Sequence, residues 1–199
     1  MKTILAILLI FISSSAWAAT QTALPSGDGV VTGSGWSVFP SSPTTKFDKM
    51  DDPVVSPDGD SSYIQNSNNA VSALFTYSAF TVPAGSTITD VTVHYNAEYT
   101  GATPHTASAI YVNSVEYNGS LITPSATYAD YSDTWSTNPS TSAAWTVADV
   151  NGTGAHPLTQ FGVYGENSKG KRWTQVYMVV TYTPPVSTVK GASLLMLLQ

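Results

Sequence analysis

The chain has 199 residues, 13 acidic and 7 basic side chains, a net charge of -6 and no cysteine. Charged residues make up only 10% of it, with no basic stripe to meet a phosphate backbone, which excludes nucleic acid as a partner. The missing thiols exclude a disulfide scaffold, a lipid-modified cysteine and any thiolate metal site or nucleophile.

Met1-Lys2 opens on a positive charge, an apolar run follows from Thr3 to Ile12, and Ala16-Trp17-Ala18 has the small-x-small pattern cut by signal peptidase. Residues 1–18 therefore read as a signal peptide, and the protein as secreted or held at a cell surface. The apolar run is too short for the roughly 20 residues a membrane span needs, and no later segment reaches that length. Residues 19–35, rich in Ser, Gly and Thr, read as a flexible lead-in. Residues 36–183 read as one domain and 184–199 as a tail that ends in an aliphatic cluster.

Trp36, Val38 and Phe39 start the first strand, which Pro40 and Pro43 stop. A second strand spans Val71 to Phe80, and Val82-Pro83-Ala84-Gly85 turns it into Ile88 to Tyr99. There proline presets φ and glycine takes the positive value that a turn asks for. Along the latter strand Val91, Val93, Tyr95, Ala97 and Tyr99 alternate with Thr92, His94, Asn96 and Glu98, the period of a strand with one wet face. Ala109 to Tyr117 and Gly119 to Thr123 suggest a hairpin across Asn118-Gly119. Phe161 to Tyr164 and Trp173 to Tyr182 complete the strands, the last with apolar residues on both faces and so central. One short helix is expected at Thr146 to Asn151, where Thr146 and Asp149 have capping-box spacing and Trp145 and Val150 staple the entry. Short strands joined by Gly, Pro and Asn turns predict an all-β antiparallel sandwich of jelly-roll type.

The order Asp58-Gly59-Asp60-Ser61-Ser62-Tyr63-Ile64, Leu74-Phe75 to Phe80, then Val82-Pro83-Ala84-Gly85 to Val91 resembles secreted jelly-roll modules, among them DNRLRE-type adhesin domains and carbohydrate-binding-module-like sandwiches. Tyr131-Ser132-Asp133-Thr134-Trp135, Asn138-Pro139, Trp145-Thr146 and Trp173 to Tyr177 are similar to surface and phage structural sandwiches. The resemblance implies a noncatalytic structural or adhesive module whose partners are glycans or surface proteins, with recognition of glycans through exposed aromatics as the alternative. A glycan-active hydrolase is the remaining reading; Glu98, Glu116 and Glu166 are its glutamates, and nothing in the spacing pairs them.

Two constellations carry chemistry. Asp48, Asp51, Asp52, Asp58 and Asp60 crowd one segment and could supply oxygens to a structural Ca²⁺, yet the frame is not an EF-hand, and Pro53 and Pro57 equally suit a solvated turn. Tyr128, Tyr131 and Trp135 fall in a polar stretch that reads as an exposed loop, where flat rings can stack on sugar faces. His94, His105 and His156 lack metal-ligand spacing.

Overall fold

The computed structural model describes residues 17–54, 56–101 and 103–186. The leader up to residue 16 and the tail from residue 187 lie outside them. Among the described residues no helix is long and apolar enough to cross a membrane.

Two antiparallel sheets stack face to face. One holds β1 (Ala19–Ala23), β3 (Ser37–Phe39), β4 (Tyr63–Asn66), β6 (Thr87–Tyr99), β9 (Ala129–Trp135) and β11 (Lys171–Thr183). Its order is β3-β4-β11-β6-β9, with β1 on the same side of β11 as β4. The other has the order β2-β5-β10-β7-β8, built from β2 (Pro25–Thr32), β5 (Val71–Tyr77), β7 (His105–Val112), β8 (Val115–Asn118) and β10 (Leu158–Glu166). This is the expected all-β sandwich of jelly-roll type, with a single turn of helix, α1 (Val147–Val150). Thr146 caps that helix, its hydroxyl accepting the Asp149 amide at 3.0 Å while donating to the Asp149 carboxylate at 2.7 Å.

The alternation read in β6 decides what lies between the sheets. Val91, Val93, Tyr95 and Ala97 face Val176, Met178 and Val180 of β11 and Phe75, Ile110, Phe161 and Val163 of the other sheet, forming one continuous core. Each fully buried Val, Ile or Phe contributes roughly 1.5–3 kcal/mol. Trp173 is buried at its centre, and its indole donates to the Thr106 hydroxyl of the opposite sheet at 2.8 Å. β4 pairs with β11 only over residues 171–173 and β1 only over 178–182. The segment after Phe47 fills the gap between them: the Val176 amide donates to the Met50 carbonyl at 3.1 Å, and the Gln175 amide group donates to the carbonyls of Asp52 and Pro53.

Three expectations change. Residues 19–35 are not a slack lead-in, because β1 and β2 give one strand to each sheet and the sandwich begins at Ala19. The hairpin of β7 and β8 turns at Asn113-Ser114, whose φ values of 50° and 63° are those of a type I′ turn, and Asn118-Gly119 lies beyond β8. The stretch containing Tyr131 and Trp135 is a strand, β9, at the edge of its sheet.

Candidate binding surface

The residues named as ligand-binding do not share one surface. In β9 the odd-numbered side chains turn inward. The Tyr131 ring lies 5.6 Å from that of Tyr95 and its hydroxyl accepts the Ser125 amide at 2.7 Å, which makes it a packing residue. Trp135 packs partly against the core, and its carbonyl accepts the Trp145 indole N–H at 2.9 Å. Tyr128 lies beside Glu98, Asp60 and Arg172, half-buried, with a buried hydroxyl that finds no partner among the described residues. Burial first, and then Glu98 and Asp60 nearby, hold that phenol above its usual range.

The five aspartates are likewise spread over separate tasks. Asp48 accepts the Thr45 hydroxyl, Asp52 accepts the Asp58 amide at 2.6 Å, and Asp60 pairs with Arg172 at 3.0 Å. Asp51 and Asp58 are exposed. Among the described residues no three Asp, Glu, His or Cys side chains gather as a metal site.

A different surface is shaped for a ligand: the outer face of the five-stranded sheet. Ala73, Phe75, Ile110, Val112, Tyr117, Phe161 and Val163 all pack into the core. Their neighbours Ser72, Leu74, Ala107, Ala109, Tyr111, Glu116, Gly162 and Tyr164 therefore occupy the opposite face. The Ser72 hydroxyl donates to the Glu116 carboxylate at 2.8 Å. Those residues sit on β5 and β8, with β10 and β7 between them. On a flat sheet three strand spacings come to about 14 Å, more than a serine and a glutamate side chain can jointly bridge. The sheet must curl, and this face is its concave side.

Ser72, Leu74, Ala107 and Ala109 form the floor of this face and are fully buried beneath the side chains that stand on it. Gly162 belongs to the same floor for a geometric reason: a Cβ there would lie 2.0 Å from the Ala73 carbonyl oxygen. Above the floor stand two partly exposed phenols, Tyr111 and Tyr164, with Gln160, Glu116 and Glu166. Tyr164 donates to Glu166 at 2.9 Å, and burial together with that carboxylate pushes its phenol up to about 12. The Gln160 side-chain oxygen accepts the Val30 amide at 2.7 Å, which fixes the carboxamide beside the trough. The result is a concave face carrying two phenols, a carboxamide and two carboxylates, with Gln160, Glu116, Tyr164 and Glu166 held by hydrogen bonds.

The sequence reading missed Tyr111 and Tyr164 and weighed Glu116 and Glu166 only as glutamates of the hydrolase alternative. A signal was present in His105 to Tyr111, where Ala107 and Ala109 alternate with core positions and end on an aromatic ring.

No family model matches the chain, and no curated protein matches it. Several solved structures share part of its shape. A CBM6 module of LamC, a laminarinase from Zobellia galactanivorans, aligns with a TM-score of 0.44 and 10% identity over 82% of this chain and 99% of its own. A CBM35 module of Abf62 from Cellvibrio japonicus gives 0.42 and 11% over 83% and 98%. A family 29 carbohydrate-binding module from Piromyces equi gives 0.38 and 7% over 81% and 90%. With all three TM-scores below 0.5, the sandwich and its trough stand on their own geometry.

Proposed function

We propose that this protein is an exported, noncatalytic module that binds a polysaccharide segment in the concave face of its five-stranded sheet. The curvature demanded by the Ser72–Glu116 hydrogen bond carries the reading, because it makes this sheet face concave and gathers the side chains of four strands along it. A sugar chain offers apolar C–H faces and a rim of hydroxyls. Tyr111 and Tyr164 supply rings for the first, and Gln160, Glu116 and Glu166 supply acceptors for the second. The carboxylates favour an uncharged glycan over a sulfated or uronic one, which they would repel.

Glu116 and Glu166 are each engaged by a neighbouring hydroxyl, an arrangement that positions acceptors and supports binding over hydrolysis. The leader pattern of residues 1–18 supports export, and adhesion to a glycan-bearing surface is the role such a module would serve.

Affinity electrophoresis through gels containing soluble neutral polysaccharides tests the reading. The wild-type chain should be retarded by at least one of them. Tyr111→Ala and Tyr164→Ala should each weaken binding about tenfold, the loss of one stacked ring. Unchanged retardation in the Tyr111→Ala/Tyr164→Ala double variant would contradict the assignment of the trough.

A further inference from the structure

Beside the trough, on the flank of the sandwich, the edges of the two sheets part. β9 ends one sheet and β8 the other, and the gap between them is a groove of about 500 Å³, within the roughly 300–1,000 Å³ of small-molecule sites. Asp133 holds its two sides. One carboxylate oxygen accepts both the amide and the hydroxyl of Ser108, at 2.9 and 2.8 Å, and the other accepts the Ser120 amide at 2.8 Å. With three hydrogen bonds already on it, that carboxylate is part of the frame, and the groups left to face a ligand are uncharged.

Those groups are complementary in kind. Trp135, partly exposed, and Ile122 give the groove an apolar side. Asn118, Ser120 and Ser132 are exposed along its rim, and their side chains hold no hydrogen bond among the described residues. An indole beside a carboxamide and two hydroxyls, with no free charge, suits a ligand with flat C–H faces and many hydroxyls.

We propose that the groove between β8 and β9 is a second saccharide subsite, centred on Trp135, that takes a short uncharged oligosaccharide. The inference rests on the glycan reading for the class of ligand, but on other strands and other residues. Two subsites on one small module would raise avidity toward an insoluble or multichain glycan, since the second contact becomes intramolecular.

Isothermal titration calorimetry with three neutral hexasaccharides, of β-1,4-linked glucose, β-1,4-linked xylose and β-1,3-linked glucose, separates the sites. The wild-type chain should bind two equivalents of at least one of them. Ser132→Phe, which fills the groove from an exposed position, and Trp135→Phe, which keeps the backbone carbonyl under Trp145, should each leave one equivalent with its affinity altered less than twofold. An unchanged melting temperature would show that both variants are folded. The Tyr111→Ala/Tyr164→Ala double variant should also leave one equivalent, bound in the groove. A wild-type stoichiometry of one that the double variant abolishes would overturn the groove and leave the trough standing. Two equivalents retained by Ser132→Phe would also overturn the groove. Binding that only the groove variants abolish would support the groove and overturn the trough, and silence with every hexasaccharide would overturn both.

Discussion

Lys171 is fully buried, and its ammonium donates to three backbone carbonyls, those of Asn68 at 2.8 Å, Glu166 at 3.1 Å and Asn167 at 2.7 Å. It clasps the loop after β4 to the loop after β10, and burial lowers its pKa to about 8. Lys171→Met removes the donor from all three carbonyls and should cost about 3 kcal/mol in chemical denaturation, because unpaired buried acceptors keep their full desolvation penalty. Asp52 works in the opposite direction. Burial pushes its carboxyl from 3.8 to about 6, against the pull of the Asp58 amide and with the carboxylate of Asp58 adding to the rise. Between those values the folded chain holds the proton more tightly than the unfolded chain does. The stability carried by Asp52 is therefore whole below pH 3.8 and is lost as pH rises through about 6. In scanning calorimetry, Asp52→Asn should gain on the wild type as pH goes from 4 to 6.5, and a difference that stays constant would contradict this. Neither residue was legible as buried in the sequence. Asp52 stood as one acid among five, and only the segment packed against Gln175 and Val176 distinguishes it from its neighbours.

At the scale of elements, strands with hydrophobic alternation were readable and those with a polar residue turned inward were not. β6 and β11 follow the expected pattern closely. In β9 the inward positions are Ala129, Tyr131, Asp133 and Trp135, and the aspartate breaks the apolar series because its partners, Ser108 and Ser120, come from distant chain. The β7–β8 hairpin went astray for a related reason: Asn118-Gly119 has the composition of a primed turn, while Asn113-Ser114 has the dihedrals. Gly162 is where the curl of the five-stranded sheet depends on a single residue. A valine there would drive its Cβ toward the Ala73 carbonyl and force β10 away from β5. Gly162→Val should lower stability by about 1–3 kcal/mol, the usual cost of overpacking. It should also weaken glycan binding more than Tyr111→Ala does, because the trough itself opens; calorimetry and affinity electrophoresis on the same sample check both.

For the whole molecule, the sandwich was foreseeable from patterning, and its trough was not. Curvature arises from close approach at Gly162 and from a hydrogen bond between strands that are not neighbours, neither of which leaves a periodic mark in the chain. The trough reading has a neutral glycan lying along the concave face of the five-stranded sheet. Two-dimensional amide NMR of the labelled protein titrated with a neutral hexasaccharide tests it most directly. Shifts at Tyr111, Glu116, Gln160 and Tyr164, beside those at the β8–β9 groove, with β11 and the loop before β4 unmoved, are the expected result. Shifts confined to the outer face of the six-stranded sheet, around His94 and Tyr177, would contradict it.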